Sequence, residues 1–528
     1  MTPDWDVVVV GAGTSGAPLA ARLADAGRRV LVLEAGADHV EFPADLRDAA
    51  RMAAAVPGHP ANWDLTGVLT EEVTFPVPRG RVAGGSSALN GGYFVRGTRA
   101  DLDGWAAAGN DLWSYDAVLP SFVRLEADRE YGDRPGHGAD GPVPVRRPPD
   151  GHPLADALGA AAAELGAPDE PDKNADGPPG WGPVPLNVAD GVRVNTAMAY
   201  LTPRRGHPGL TVRGGVPVRR VVVEGGRAVG VETAEGVVRA GEVLLAAGAV
   251  GSPQLLLLSG IGPADDLRAL GLDVVADVPG VGADYTDHPD VYVTWRPARR
   301  LPMPRDLHPL HGVLNTPDDL EVLPWLKPFS RVMVPRTSAG VARVLGRPRA
   351  TFRALRGASL HRLLDTARRR DDLFLGVALQ REDSRGRLTL TSTDPHVQPR
   401  LEYRYLSTDS DRRRMRQGVR LAAELLRTAA LAPLVAERTG LPDDVLASDR
   451  ELDRWIRRSL ATAVHLAGTA RMGPDSDPGA VVDQHLRVRG VEGLRVVDTS
   501  VMPTVTSRGP AATAVAIGER AAELMAGG

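Results

Sequence analysis

The N-terminal 36 residues contain the pattern that most constrains the fold of this chain. A short apolar run, DVVVV at residues 6–10, leads into the glycine-rich GAGTSG, and apolar residues then recur at helical spacing over residues 17–27. A second apolar run, RRVLVLEAG, occupies residues 28–36. Strand, glycine turn, helix and strand in this order predict a βαβ unit, whose two strands run parallel in one sheet. Such units build doubly wound α/β sheets.

The glycines of this turn have the GxGxxG spacing of a dinucleotide-binding motif, at Gly11, Gly13 and Gly16. The first permits a tight turn, the second lets the backbone approach a pyrophosphate, and the third lets the helix pack closely on the strand. Glu34, at the end of the second strand, is placed to accept hydrogen bonds from a ribose. The neighbouring residues included in this predicted site are Thr14, Ser15 and Ala35. The motif alone does not separate FAD from NAD, and the alternative is a plain glycine-rich turn.

The composition excludes several classes of function. The chain has 528 residues, a net charge of -4 and 43% hydrophobic residues, as in an ordinary globular protein of two or more domains. It contains no cysteine, so disulfides, thiolate nucleophiles and cysteine-bound metals are ruled out. The charge balance does not indicate a nucleic-acid-binding protein, and no apolar run approaches the roughly 18 residues of a transmembrane helix. We expect a cytoplasmic protein without a nucleic-acid partner or a transmembrane segment.

Later segments indicate where the architecture changes. A stretch rich in proline, glycine and aspartate over residues 132–184 predicts connecting loops. Residues 209–248 alternate like a meander of strands with glycine turns, and residues 291–450 carry more arginine and helical patterns, as a second domain would. Residues 494–503 return to the character of a buried strand, and residues 511–526 predict a final helix.

Five segments spread over the chain resemble signature stretches of the glucose–methanol–choline (GMC) flavin oxidoreductases. They are GRVAGGSSALNGGYFVRG (80–97), GAVGSPQLLLLSGIG (248–262), HLAGTARMG (465–473), VVDQHLRVRGVEGLRVVDTSVMP (481–503) and AIGERAA (516–522). The first departs from the family pattern at Ala83, where a larger aliphatic residue is usual. The resemblance implies an FAD-dependent enzyme that oxidises CH–OH donors by hydride transfer to flavin N5.

The fold class implied in this way is α/β, or α+β overall, in two domains. A discontinuous, doubly wound, Rossmann-like FAD-binding domain would comprise residues 1–140, 205–290 and 455–528. Residues 141–204 and 291–454 would form a substrate-binding domain with an antiparallel sheet flanked by helices.

A narrower resemblance concerns the substrate. GGSSALNGGYFVRG (84–97), GWGPVPLNVADGVRVNTAMAYLTP (180–203) and YTDHPD (285–290) resemble an actinobacterial subgroup associated with mycofactocin, a peptide-derived redox cofactor. The implied role is to reoxidise reduced mycofactocin and to pass the electrons through FAD to an acceptor other than oxygen, toward the respiratory chain. Because a respiratory-chain acceptor lies at the membrane, the protein would then contact the inner face of the membrane from the cytoplasm. The alternatives are an oxygen-dependent alcohol oxidase that produces hydrogen peroxide, and an FAD-containing hydroxynitrile lyase.

The resemblance also assigns the contacts of the flavin. The loop and strand-end residues that would line it are Gly84, Gly85, Ser86, Asn90, Gly91, Gly92, Ala247 and Gly248. Val218 would clamp the adenine end, or be an ordinary strand valine, and Asp498 would bind the ribityl chain or serve as a structural cap. Some relatives attach FAD covalently through a histidine in the loop, but the matching position here is Leu89, so we expect non-covalent FAD.

His465 matches the catalytic histidine of the family and is the expected general base, because a neutral imidazole has a pKa close to working pH. Without the resemblance, it would more often be a histidine of the core. A second catalytic His or Asn would fall on Gly509, so that side chain is missing. The turn at Gly509 and Pro510 would lie against the flavin, where Arg508 could stabilise charge on the reduced ring. Alternatively, Arg508 faces solvent or pairs with Glu519 or an aspartate.

Three other sequence patterns indicate a function only weakly. His308 and His311 in HPLH resemble a metal site only superficially, and we expect no metal. Asp287 and His288 in DHP are expected to act mainly as structural caps. Residues 350–370 have an apolar stripe and clustered arginines, which predicts a surface helix or, alternatively, a docking helix for a membrane or an electron-accepting partner.

Overall fold

The computed structural model describes residues 4–334 and 371–526. The predicted helix over residues 350–370 lies outside this part of the chain. The α-helices of the described residues are Gly16–Asp25, Ala44–Arg47, Arg99–Ala107, Tyr115–Leu125, Pro153–Glu164, Gly248–Leu258, Ala264–Ala269, Phe329–Met333, Asp409–Leu425, Asp443–Ala447, Asp449–Ser459 and Ala511–Ala526. None of these helices is long and apolar enough to cross a membrane.

The predicted βαβ unit is present and forms the centre of a parallel sheet. Strand Trp5–Val10 pairs in parallel with Val30–Leu33 on one side and with Gly236–Leu245 on the other. The order of strands in this sheet is Leu210–Arg213, Val30–Leu33, Trp5–Val10, Gly236–Leu245, Arg227–Thr233 and Arg220–Glu224, with Leu494–Val496 also paired to Gly236–Leu245. The central strands are buried on both faces, which explains their continuous apolar runs.

The predicted meander over residues 209–248 is only partly correct. Strands Arg220–Glu224, Arg227–Thr233 and Gly236–Leu245 are antiparallel neighbours, as expected. The first strand, Leu210–Arg213, instead joins the opposite edge of the sheet, in parallel with Val30–Leu33. Residues 214–219 therefore connect the two edges of the sheet, and Val216, Pro217 and Val218 in this connection line the cavity described below.

A second sheet is antiparallel and supplies the opposite wall of the site. Its order is Val435–Thr439, Pro289–Pro297, Leu373–Leu379, Leu320–Trp325, Gly312–Asn315 and Trp181–Pro183, with Ala461–Thr462 also paired to Pro289–Pro297. The central strand, Leu373–Leu379, is buried along its whole length, and helix Asp409–Leu425 packs against it. The fold class predicted from the sequence is confirmed.

Smaller sheets and two-stranded ladders connect these layers. A four-stranded sheet is formed by Arg387–Thr389, Arg400–Glu402, Leu65–Thr70 and Val73–Val77. The two-stranded ladders are Ile261–Gly262 with Ala276–Asp277, Glu126–Asp128 with Val143–Val145, and Val188–Ala189 with Val192–Arg193.

The last helix, Ala511–Ala526, confirms the prediction for the C-terminal segment and shows why it is rich in small residues. It packs on the first helix so closely that a Cβ atom on Gly518 would lie 2.3 Å from the carbonyl oxygen of Ser15. The Ser15 hydroxyl donates to the carbonyl of Ala514 at 2.6 Å. Glu519 is buried in this contact and binds Arg22, so it is not available to Arg508. The helix is thus fixed against the nucleotide-binding turn.

Candidate active site

A cavity of about 1700 Å³ lies between the carboxyl ends of the parallel strands and one face of the antiparallel sheet. Val10 and Leu33 of the first sheet line one side, and Tyr292, Leu323 and Phe374 of the second line the other. The predicted residues that line this cavity are Gly11, Gly13, Thr14, Ser15, Glu34, Ala35, Gly85, Ser86, Asn90, Gly91, Val218, Ala247, Gly248, His465, Asp498, Gly509 and Pro510. Segments distant in sequence therefore converge on one space.

The turn at the first strand has the geometry that the motif requires. Gly11 has a φ of +103°, and a Cβ there would lie 2.5 Å from the carbonyl oxygen of Ala246. Gly13 lines the cavity, and a Cβ there would be in ordinary contact with Cα of Gly85 at 3.8 Å. The Glu34 carboxylate is held by the amides of Ala12 (3.0 Å) and Gly36 (2.7 Å). Each carboxylate oxygen keeps a lone pair, so the ribose of a dinucleotide fits here.

Three glycines of the predicted site, Gly16, Gly84 and Gly92, lie outside the lining of the cavity, and for Gly16 the predicted packing role is confirmed. Gly16 serves helix packing, because a Cβ there would lie 2.0 Å from the carbonyl oxygen of Gly11. Gly84 faces the Asn195 amide, whose oxygen would be 2.7 Å from a Cβ, and Gly92 faces the side chain of Asn187. These residues allow the wall to form, whereas Gly85, Ser86, Asn90 and Gly91 face the cavity.

Asp498 lines the cavity, but its carboxylate already has four protein donors. One oxygen accepts from the Ser500 amide and hydroxyl, and the other from the Gly248 amide and the Ser252 hydroxyl. A carboxylate offers about four lone-pair positions. The structure therefore supports the alternative role of a structural cap, since Asp498 fixes the turn that carries Ala247 and Gly248.

Arg508 does not extend into the cavity, which contradicts the role expected for it. Its guanidinium is buried and donates to Glu170 at 3.0 Å, and Glu170 also binds Lys173. The alternative pairing with Glu519 or an aspartate is wrong as well. The residue that follows, Gly509, does face the cavity, and a Cβ there would lie 3.6 Å from Cε1 of His465. The position of the missing second base is thus beside His465, as the sequence predicted, but no neighbouring arginine fills it.

A histidine pair, His465 and His288, forms the polar centre of the site. The two Nδ1 atoms are 2.8 Å apart, and Nε2 of His288 lies 3.0 Å from the backbone oxygen of Thr506. The catalytic position of His288 was not predicted from the sequence, which indicated only a capping role for it. The DHP motif was the only signal for it, because 177 residues separate the two histidines and no local pattern predicts their contact.

The hydrogen bonds of this pair define the tautomer of His465. A carbonyl oxygen only accepts, so Nε2 of His288 must carry a proton. Burial lowers the pKa of His288 to about 4, so the ring is neutral and its Nδ1 is an acceptor. Nδ1 of His465 therefore donates, and Nε2 of His465 keeps its lone pair on the side of Gly509 and the cavity. The pair presents an unprotonated nitrogen to a bound donor.

The pKa of His465 is lower than the sequence led us to expect. Burial, followed by the neighbouring His288 and Arg79, holds its pKa well below the usual 6.5. This lowered pKa differs from the value near working pH that was expected from the sequence. His465 is neutral throughout the physiological range, and its function as a base does not depend on losing a proton first.

Asp287 holds both histidines at their backbones. One carboxylate oxygen accepts from the amides of His288 and His465, each at 2.7 Å, and the other from the Thr462 hydroxyl at 3.1 Å. The capping role expected for Asp287 is present. Burial raises its pKa to about 6. This single oxygen links two chain segments and fixes the spacing of the imidazoles.

The HPLH histidines do not converge on a common point. Nδ1 of His308 hydrogen-bonds within its own turn to Leu310, and Nε2 of His311 lies 2.9 Å from the carbonyl of Pro149. They form separate loop contacts.

One other cluster, Glu126, Asp128 and His137, has atoms close enough to hold a metal ion. Arg96 binds Glu126 and Arg147 binds Asp128, so guanidinium groups already occupy the carboxylates. The pKa of His137 is raised to about 9, chiefly through hydrogen bonds to Asp172 and Glu126 that outweigh burial. A protonated histidine between two arginines makes the binding of a metal cation at this cluster unfavourable.

Comparison with known proteins gives a consistent result. Models of the GMC oxidoreductases match residues 6–290 and 382–518. The chain is 39% identical to a protein of Rhodococcus erythropolis described as an uncharacterized GMC-type oxidoreductase in the thcA 5′ region, over 99% of this chain and 98% of that protein. It is 34% identical to the oxygen-dependent choline dehydrogenase of Photobacterium profundum, covering 100% and 94% of the two chains.

Among solved structures, pyridoxine 4-oxidase from Mesorbium loti superposes with a TM-score of 0.85 at 31% identity. The alignment covers 98% of this chain and 99% of that one. The similarity thus extends over both sheets and the whole cavity.

Proposed function

The chain belongs to the GMC oxidoreductases, FAD-dependent enzymes that act on CH–OH donors, and we propose that its His465 is the general base of an alcohol oxidation in the described cavity. The observation that carries this proposal is the free Nε2 of His465, which the bond to His288 aims at the cavity. An alcohol gives up a hydride from carbon only as its hydroxyl proton leaves, so the site needs such an acceptor.

The residues present fit FAD. The cavity-lining backbone at Gly13 and the Glu34 carboxylate suit the adenosine diphosphate, and Gly85, Asn90 and Gly509 line the space proposed for the flavin ring. When bound, FAD supplies the acceptor for the hydride of the donor carbon. The N-terminus of helix Ala511–Ala526 follows Gly509, and its partial positive charge favours a ring that gains electrons.

The protein's own groups carry out the proton transfer. The donor hydroxyl hydrogen-bonds to Nε2 of His465, which takes the proton as the C–H bond breaks. His288 then accepts the Nδ1–H hydrogen bond of the imidazolium, and Asp287 holds both rings in place through their backbones. Gly509 adds no second base, so the enzyme depends on one proton acceptor.

We propose reduced mycofactocin as the donor and an acceptor other than oxygen, in the respiratory chain, for the electrons. The resemblance of residues 84–97, 180–203 and 285–290 to the mycofactocin-associated subgroup supports this donor, as does the missing second base at Gly509, since an acidic hydroxyl needs less help from a base. FAD is proposed to be non-covalent, because Leu89 lines the cavity at the attachment position and has no nucleophilic atom.

This proposal is tested by mixing the FAD-loaded enzyme anaerobically with reduced mycofactocin and following the flavin absorbance, before air is admitted. We expect bleaching that persists in air. Rapid recovery in air would instead show an oxygen-dependent oxidase. Bleaching by a simple alcohol but not by reduced mycofactocin would overturn the donor assignment and leave the alcohol oxidation intact.

A further inference from the structure

The antiparallel sheet presents a regular set of side chains to the cavity. Three residues lie in register across it, because Asp290 and Glu321 both pair with Ala378 of the central strand. Directly opposed residues in antiparallel strands point to the same face, so the two carboxylates flank the small alanine side chain. All three residues line the cavity. We name Asp290, Ala378 and Glu321 the acidic row.

The next rows of the same face are apolar and aromatic. Tyr292 and Leu323 are opposite Gly376, and Trp325 is opposite Phe374, whose ring lies 5.0 Å from it in a stacked arrangement. These residues also line the cavity. The wall therefore offers an acidic end and a hydrophobic surface, which suits a ligand with a polar head and a carbon chain or ring.

The acidic row has hydrogen-bond acceptors that the protein does not satisfy. Asp290 is 8% exposed, and within residues 4–334 and 371–526 its Oδ1 has no hydrogen-bond partner. Glu321 is 6% exposed, and its Oε2 accepts from Asn315 at 3.2 Å and from the Tyr93 hydroxyl at 3.4 Å. A buried carboxylate oxygen without a donor is costly, so a ligand that brings donors is favoured.

Two buried cations, Lys173 and Arg508, lie near Glu321, and Nη1 of Arg508 has no hydrogen-bond partner among the described residues. Lys173 reaches Glu321 only through Asn315, whose amide oxygen accepts from Nζ at 3.1 Å. Lys173 and Arg508 both bind Glu170. They help Glu321 to ionise without covering the acidic row. Burial raises the pKa of Asp290 to about 8, against an opposing contribution from the Tyr292 hydroxyl, so this carboxyl is largely protonated at neutral pH. A positive ligand beside the acidic row would favour the ionised form of Asp290.

We propose that the acidic row binds a protonated primary or secondary amine carried by the alcohol donor. Such an ammonium group brings N–H donors for Oδ1 of Asp290 and for Glu321, and its carbon skeleton packs on Tyr292 and Phe374. A quaternary ammonium group has the charge but no N–H, so it leaves the buried oxygen unpaired. The inference rests on the proposed alcohol oxidation, but not on mycofactocin as the donor.

The test is calorimetric binding of three probes to the FAD-loaded enzyme: n-butylamine, butyltrimethylammonium and 1-butanol. The flavin is first reduced chemically under anaerobic conditions, so that no probe is turned over and binding is measured independently of any alcohol oxidation. We expect n-butylamine to bind at least about tenfold more tightly than either of the others. Asp290→Asn and Glu321→Gln should each remove most of this preference at unchanged FAD content, whereas Glu72→Gln, at an exposed carboxyl of the same cavity, should keep it.

Equal affinities, or tighter binding of butyltrimethylammonium, would overturn the inference, as would a preference that survives both variants of the acidic row. Flavin reduction by alcohols is scored in a separate experiment. An enzyme that prefers n-butylamine but is reduced by no alcohol would contradict the proposed function, and one that is reduced by alcohols but shows no amine preference would contradict only the acidic row.

Discussion

Replacing His465 by glutamine is expected to slow flavin reduction by a donor alcohol by about 10²- to 10⁴-fold while FAD stays bound. The amide of glutamine still reaches toward the cavity, but it cannot take up a proton at neutral pH. FAD binding should persist because Gly13 and Glu34, which we propose to bind the adenosine diphosphate, lie in other segments of the chain. The measurement is anaerobic stopped-flow reduction, with the FAD content read from the absorbance of the purified protein.

His396→Gln is the matched control, since His396 lines the same cavity at an exposed position of its mouth. It should leave the rate of reduction unchanged. A His465→Gln enzyme that is reduced as fast as the wild type would remove this histidine from the chemistry.

Gly16→Ala is expected to destabilise the protein by about 3 kcal/mol or more and to give material that retains little FAD. The new Cβ would lie 2.0 Å from the carbonyl oxygen of Gly11 and 3.0 Å from Cβ of Ala246. Neither atom belongs to a flexible side chain, so the helix must move away from the strand and open the turn at Gly13. The thermal unfolding midpoint and the FAD content of the purified variant measure both effects.

Gly104→Ala provides the comparison within another helix. No atom of the described residues lies within 4 Å of a Cβ at Gly104, which is exposed in helix Arg99–Ala107. Because alanine is the better helix former, this variant should be stabilised by about 1 kcal/mol. If Gly16→Ala kept the unfolding midpoint and the FAD content of the wild type, this result would contradict the close contact between helix and strand at Gly16.

The elements that the sequence predicted well depend on local patterns. The βαβ unit follows from apolar periodicity and three glycines within 36 residues, and the last helix from its own repeat of small and apolar residues. The position opposite His465 was also identified correctly as Gly509, because it was counted from a recognisable motif nearby. Such features need no knowledge of distant contacts.

The features of the site that were predicted wrongly, or not at all, depend on contacts between segments that are distant in the sequence. Arg508 was expected at the flavin, but its partner Glu170 lies 338 residues away in the sequence. Asp290 and Glu321 share a row only because both pair with Ala378, and strand register of this kind cannot be read from composition. The tautomer of His465 likewise depends on a backbone carbonyl, that of Thr506, which no sequence motif records.

The most direct test of the central claim is the pH dependence of the limiting rate of flavin reduction, in the wild type and in His465→Gln, at saturating donor. Because burial keeps the pKa of His465 well below 6.5, the neutral base is fully present above that pH. We therefore expect a flat profile in the wild type from about pH 6.5 to 9. Without the base, the rate of His465→Gln should rise with hydroxide concentration, by about tenfold per pH unit. A wild-type rate that climbs through the ordinary histidine range, or two parallel profiles, would contradict the account.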